Sequence, residues 1–561
     1  MGIVDHRAAW RFGMSHLDRR GRREIDGDPA PATTEGHHTY STDEVAAPPQ
    51  LGPLSRILPL AATRDSRLWY AGLFSLAILA FGIRFVGLAI GGGLDGRATL
   101  DEGTYFAGAI AFVNGRLPYR DFGILHPPGL LYLLTPFAQI GTLTTEANGL
   151  VLARLAFMVL GGVNTALVGL VGARVGRRTG LIAAALYAVW VLPLAGERGT
   201  LLVAPQVTAM LVALLALTGR DAIELSTRRV AVAGVAIGVT GAIQIWAVVP
   251  ATVILAWLVL RVRGRRREVV RVAATYVLSG AATTAALLSP LLVVAGAQMI
   301  QMTIFAQATR LGRYSTGPLT RLRLLEGLEA GPFGLDVPTP AVLVFALAAT
   351  MLVLFVARRR PAIRLWAAIA SSELAFIMAM PLFIPHYRGW PAPVMALSLG
   401  AVVAYGLERV PAHRRNLGFA AYGLILVMLA GTSLRPTGTR LALDADTPSL
   451  SAARCVVADE GYLAIRSHTL VRSLRNGCRV LPNPRNMSRL NNAARGGEAQ
   501  SRRNQEQYQS DIIDYFASAD VVLLGQLKLD GLTDATMAAL GAEFPYQQRI
   551  GPVTVLRRDA P

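Results

Sequence analysis

The sequence predicts a polytopic α-helical membrane protein with a small α/β domain at its C-terminal end, and three observations carry that prediction. The 561-residue chain is 53% hydrophobic and only 16% charged, against about 45–50% apolar and about 25% charged in soluble domains. Its apolar residues gather in blocks of about 20, enough to cross a hydrocarbon core of roughly 30 Å. From about residue 435 the pattern changes to short apolar strands alternating with helices, as in a packed α/β unit. Together these exclude a soluble enzyme, a disordered scaffold and a fibrous protein.

Residues 1–66 mix charge, proline and small polar residues without periodicity and read as a disordered cytoplasmic tail. No apolar run precedes Leu68, so no signal peptide is expected. The membrane part, 67–434, opens with a span at 68–90. Further spans are expected near 149–173, 180–196, 200–218, 230–246, 248–262, 270–294, 339–357, 363–384, 390–408 and 417–434, about eleven in all. The stretch 230–262 reads either as a tight pair or as one long helix.

The formal charge is +19, almost entirely arginine, with Lys528 the only lysine. Nucleic acid is not the expected partner, because the arginines punctuate apolar blocks without interleaved aromatics. They report topology instead. The loops 174–178, 219–229, 261–271, 358–364 and 409–415 hold nineteen arginines, and the segments 91–127, 195–199, 296–336 and 385–389 hold nine. This bias predicts a cytoplasmic N-terminus, and eleven spans from there leave the C-terminus extracytoplasmic; the cell membrane is the expected location.

Two helices are expected inside the long segment 91–148. Gly103 to Asn114 is apolar enough to lie along the membrane surface, with Gly115 as its C-terminal cap. Gly129 to Ile140, after Pro127-Pro128, is too short to span and reads as re-entrant or interfacial. Interfacial helices are thus expected over about 100–142.

In the C-terminal region, 435–561, strands are expected at Cys455–Asp459, Arg479–Leu481, Asp520–Leu524 and Val553–Leu556. Helices are expected at Leu463–Leu474, Tyr508–Ala517 and Asp534–Leu540, giving a small parallel α/β domain without a Gly-rich phosphate loop. The chain's two cysteines, Cys455 and Cys478, both lie here. Adjacent strands would bring their Cα atoms into the bridging range of about 4.4–6.8 Å; two buried free thiols are the alternative.

The strongest chemical signal is Leu100-Asp101-Glu102-Gly103-Thr104-Tyr105, followed by Gly115-Arg116-Leu117-Pro118-Tyr119-Arg120-Asp121-Phe122 and His126-Pro127-Pro128-Gly129. A helix cap accounts for one carboxylate of the adjacent pair. It does not account for the ordered run behind it. This pattern resembles the GT-C glycosyltransferases, closest to the branch of the dolichyl-phosphate-mannose protein mannosyltransferases and bacterial aminoarabinose transferases. The resemblance covers roughly 68–434. It implies a polyprenyl-phosphate-linked sugar as donor and Asp101 as catalytic base or acceptor-orienting acid, with Glu102 its competitor.

Two further segments match that family by position. Glu197, in Ala195-Gly196-Glu197-Arg198-Gly199, stands where the family often has a second acid; a polar tip on a turn is the other reading. His386, Tyr387 and Arg388, in Pro385-His386-Tyr387-Arg388-Gly389-Trp390-Pro391, resemble the segment that meets the lipid phosphate; an interfacial anchor is the other reading. Tyr105, Tyr119, Arg120, Asp121 and His126 complete the expected substrate-binding set, and Arg310 and Arg313 are weaker phosphate candidates.

The residue types suit the chemistry. A sugar phosphate ester is already activated, so a carboxylate base and guanidinium groups for the leaving phosphate suffice. Displacement at the anomeric carbon inverts its configuration. The pattern requires no cofactor and has no metal-ligand spacing, though a divalent ion is compatible with it. The resemblance implies as acceptor a hydroxyl of a glycan, lipid or protein. The alternative function is a transporter or flippase of lipid-linked sugars, for which Glu373 is the plausible in-span carboxylate, and a third reading is a non-catalytic partner of a transferase.

Overall fold

The computed structural model describes residues 64–218, 225–308, 316–327, 337–441, 443, 448–494, 501–525 and 531–560. Nearly all of the expected tail, and Arg310 and Arg313, lie outside these residues. Each expected span meets a helix: α1 (Arg64–Ala89), α4 (Glu146–Ala173), α5 and α6 (Arg177–Val189 and Val191–Glu197), α7 (Val203–Leu217), α8 (Thr227–Ile243), α9 (Val248–Arg261), α10 (Arg266–Ala295), α12 (Thr339–Arg359), α13 (Pro361–Ala379), α14 (Ala392–Arg409) and α15 (Ala412–Ser433). Between them come α2 (Leu100–Val113), α3 (Gly129–Leu143) and α11 (Pro318–Glu326).

The protein is a multi-pass membrane protein. Among the described residues, six helices are long and apolar enough to cross a bilayer: α1, α4, α10, α12, α13 and α15. The pair α5–α6 is long and apolar enough only when taken together, and it is bent by 61° at a break rather than continuous as expected. Trp190 holds an extended backbone at the break (φ −78°, ψ 138°), and Pro193 follows within α6. Helices α3, α7 and the 245–261 segment are apolar but shorter. The ambiguous stretch 230–262 is two helices joined by a 3-10 turn, Ile245–Ala247. Helix α8 lies tightly along α10 because Gly234 and Gly238 present bare backbone: a Cβ at either would fall 2.0 Å from the Ser279 hydroxyl or 2.4 Å from the Gly280 carbonyl. Small residues serve helix pairs in lipid in this way, since hydrophobicity does not drive association there.

Helix α2 is enclosed by protein along most of its length. Its residues Glu102 to Ala111 are all buried. One side is covered by α3 and the other by the C-terminal region, where Gly103 and Gly461 bring two backbones together. A Cβ on Gly103 would meet the Tyr462 nitrogen at 2.8 Å, and one on Gly461 would meet the Gly103 carbonyl at 2.6 Å. One apolar core therefore runs from Tyr105, Phe106 and Leu131 to Val456, Leu463 and Val555.

In the C-terminal region, β1 (Val456–Ala458), β2 (Val521–Leu524), β3 (Tyr546–Ile550) and β4 (Val553–Arg557) form a sheet in the order β1-β2-β4-β3. Only β1 and β2 are parallel, with Val457 opposite Val522; the β3–β4 hairpin makes the sheet mixed, not parallel. The expected strand at Arg479–Leu481 is absent, and the expected helix 463–474 is two short ones, α16 (Gly461–Arg466) and α17 (Leu470–Arg475). His468, at φ +53°, makes the break. Beyond them lie α18 (Asn486–Ala494), α19 (Glu506–Ala517) and α20 (Asp534–Glu543). Cys455 and Cys478 are bridged, with Cα atoms 5.7 Å apart.

Candidate active site

The first turn of α2 carries both motif acids. Thr99 caps it, its hydroxyl accepting the Glu102 N–H at 3.3 Å. Neighbouring helical residues point about 100° apart, so two adjacent carboxylates diverge. Asp101 keeps 23% of its side chain exposed and faces His386 Nε2 at 3.9 Å. Glu102 turns inward and is 1% exposed. Its Oε1 accepts from Arg154 Nε at 2.8 Å and from the Thr200 N–H at 3.0 Å, and its Oε2 pairs with Arg154 Nη2. A charge in so dry a position persists only when paired and hydrogen-bonded. Glu102 is committed to that pair, whereas Asp101 retains an open face.

Glu197 is equally enclosed. Its Oε2 takes Arg84, with Nε at 3.0 Å; its Oε1 takes Asn164 Nδ2 and the Tyr187 hydroxyl, both at 2.7 Å. It ties α1, α4, α5 and α6 together at the end where α2 begins. Its neighbour Arg198 donates to the Ser433 carbonyl and feels the positive charges of Arg84 and Arg388.

The Pro385–Gly389 segment is a 3-10 turn in which His386, Tyr387 and Arg388 are all buried. Tyr387 stands edge-on to Trp246 at 4.6 Å, and Trp246 lies 5.8 Å from Trp390. This aromatic packing fixes the turn so that His386 projects to Asp101, 285 residues earlier in the chain.

The remaining motif residues fall into two groups. Tyr105, Tyr119 and His126 come together: the Tyr119 hydroxyl donates to the His126 carbonyl at 2.7 Å, and the Tyr105 ring meets the imidazole edge-on at 5.8 Å. Tyr119 holds φ +69°, costly for a residue with a Cβ. Burial pushes its phenol well above the usual range. Gln307 Nε2 reaches His126 Nδ1 at 3.3 Å and so brings in the chain beyond α10. Arg120 and Asp121, by contrast, pair with each other at 2.9 Å on an exposed loop, Asp121 also accepting the Leu117 N–H. The Arg120 hydrogen bond holds the Asp121 carboxyl below its usual value. These contacts tie Arg120 and Asp121 to their own loop.

Sequence reasoning missed Arg84 and Arg154, although a charge within an apolar span is itself a signal that a partner waits in the fold. It also missed Glu460. That carboxylate pairs with Arg97 at 2.8 Å and so links the C-terminal region to the segment before α2. Burial, reinforced by the Asp459 charge, pushes it up to about 7 against the pull of Arg97 and Arg485. No group of three or more His, Cys, Asp or Glu side chains suited to a metal ion occurs among the described residues. Asp101 and His386 supply two candidate donors, and no step below is routed through a metal ion.

No family model matches the sequence, and no curated protein matches it. Solved structures do. ArnT from Cupriavidus metallidurans in the apo state is 13% identical with a TM-score of 0.56, over 88% of this chain and 99% of that one. The same protein bound to undecaprenyl phosphate is 14% identical with a TM-score of 0.53, over 86% and 97%. The archaeal oligosaccharyltransferase AglB from Archaeoglobus fulgidus, in complex with an inhibitory peptide and a dolichol-phosphate, is 14% identical with a TM-score of 0.54, over 83% and 70%. At such identity the likeness speaks for the fold, and the fold this chain shares with these proteins is that of the GT-C glycosyltransferases.

Proposed function

We propose that this protein is an integral membrane glycosyltransferase that moves a sugar from a polyprenyl-phosphate donor to an acceptor hydroxyl on the extracytoplasmic face of the cell membrane. The observation that carries the reading is the approach of Asp101 to His386 at 3.9 Å, which joins an open carboxylate to the buried turn bearing Arg388. The fold shared with proteins solved with undecaprenyl phosphate and dolichol-phosphate supports the donor class.

In the reaction, Asp101 takes the acceptor hydroxyl proton as its oxygen attacks the anomeric carbon. The C1–O bond to phosphate breaks with its electron pair, and inversion follows. The polyprenyl phosphate leaves toward the guanidinium of Arg388, with Arg198 adding positive charge. Glu102 and Glu197 hold the frame through Arg154 and Arg84.

The test is transfer of labelled sugar from polyprenyl-phosphate donors to an acceptor panel. Asp101→Asn keeps shape and cap but removes the base, so transfer falls by at least about 10² while donor binding persists. Near-normal turnover in that variant overturns the reading. A flippase is the second reading, favoured by Glu373, fully buried within α13 and without a hydrogen-bond partner among the described residues. It predicts movement of lipid-linked sugar across vesicles without transfer.

A further inference from the structure

A cavity of about 330 Å³ opens at the junction of α3, α4 and α17, apart from the Asp101–His386 site. Its wall runs from Thr142 and Thr145 to Glu146, the first residue of the long span α4, and closes on His468, Arg472 and Arg475. It therefore lies where α4, a candidate membrane span, begins.

Two features define what fits it. The first is charge. Arg472 spends its Nη atoms on the Ser451 and Leu450 carbonyls, while its Nε is buried with no partner. Arg475 is exposed and reaches the Thr142 carbonyl only at 3.5 Å. Among the described residues neither arginine pairs with a carboxylate. Glu146 is engaged elsewhere: its Oε1 accepts the Val471 N–H at 3.0 Å and its Oε2 meets His468 Nδ1 at 3.2 Å. The second is the apolar surface of the two helices that supply the wall: Leu143 is 74% exposed, Leu152 41% and Ile140 37%.

A hollow with two arginines, on helices that also carry exposed apolar side chains, suits an amphiphile with one anionic head. We propose that this cavity is a binding site for an anionic glycerophospholipid. Its phosphodiester is held by Arg472 and Arg475, and its acyl chains lie along Leu143 and Leu152. Guanidinium suits the phosphate oxygens through paired donors, and basic pockets at span ends hold headgroups in this way. The lipid would cement α17 to α3 and α4, adding to the joint that Glu146 and His468 already make. The inference needs only the membrane location and stands whether or not the transferase reading does.

The experiment places the full chain in phosphatidylcholine nanodiscs carrying either phosphatidylglycerol or phosphatidylcholine with a photoreactive acyl chain. Labelling is then mapped over residues 140–152. A charge-assisted hydrogen bond is worth roughly tenfold or more, so phosphatidylglycerol should label this stretch about tenfold over phosphatidylcholine. In Arg475→Gln, an exposed change that leaves the fold intact, the ratio should fall toward about one; Arg549→Gln, on the distant hairpin, should leave it unchanged. Equal labelling by both lipids overturns the proposal, as does a preference that survives Arg475→Gln. If millimolar inorganic phosphate erases the preference, the site takes free anions and the lipid assignment fails.

Discussion

Arg154 and Glu102, 52 residues apart, meet through two N–H···O bonds with both side chains withdrawn from water. Removing one partner of a buried pair leaves the other charged and dry, at a cost of about 3–5 kcal/mol. Glu102→Gln should therefore lower the thermal midpoint sharply, whereas Asp101→Asn should leave it near wild type. Differential scanning fluorimetry in detergent reads both. A Glu102→Gln protein as stable as wild type would return Glu102 to the list of candidate bases.

Arg388 should govern donor affinity. Arg388→Ala is expected to weaken polyprenyl-phosphate binding by about tenfold or more, in keeping with one lost charge-assisted bond. Acceptor affinity should change little. Titration of each ligand against folded variant measures the contrast, and an unchanged donor affinity reassigns the turn to structural anchoring.

The Cys455–Cys478 bridge closes a loop of 23 residues. Chain-entropy reasoning gives a bridge of this span a contribution of about 3 kcal/mol. A Cys455→Ala/Cys478→Ala protein should melt earlier, and the wild-type chain purified without reductant should show no reactive thiol after denaturation. Two titratable thiols would place this region on a reducing side.

Glu460 should make stability depend on pH. Its folded value, about 7, lies above the ordinary 4.5, so the folded protein binds the extra proton between those limits. Its contribution is full below about pH 4.5 and is lost as pH rises through about 7. The thermal midpoint should thus fall between about pH 5 and 8 by an amount that Glu460→Gln reduces. A slope unaffected by that substitution would show that other groups carry it.

Local pattern, read from the sequence alone, determined that helices occupy every expected span, because an apolar run of such length leaves its backbone no other way to satisfy its hydrogen bonds in lipid. It also located the Asp101 motif, the cap role of Gly115 at φ +83° and the strands at Val456 and Val521. Tertiary structure decided the rest. Beyond its first turn helix α2 is mostly apolar, which suits a membrane surface and a protein interior equally; packing against α3 and the Gly103–Gly461 approach enclose it. Arg479–Leu481 has strand composition but joins no sheet, while the hairpin at Tyr546–Arg557 adds to β2. The roles of Asp101 and Glu102 separated for the same reason. Identical chemistry at adjacent positions is indistinguishable by pattern, and a guanidinium 52 residues away commits one carboxylate to the interior while a histidine 285 residues away meets the other.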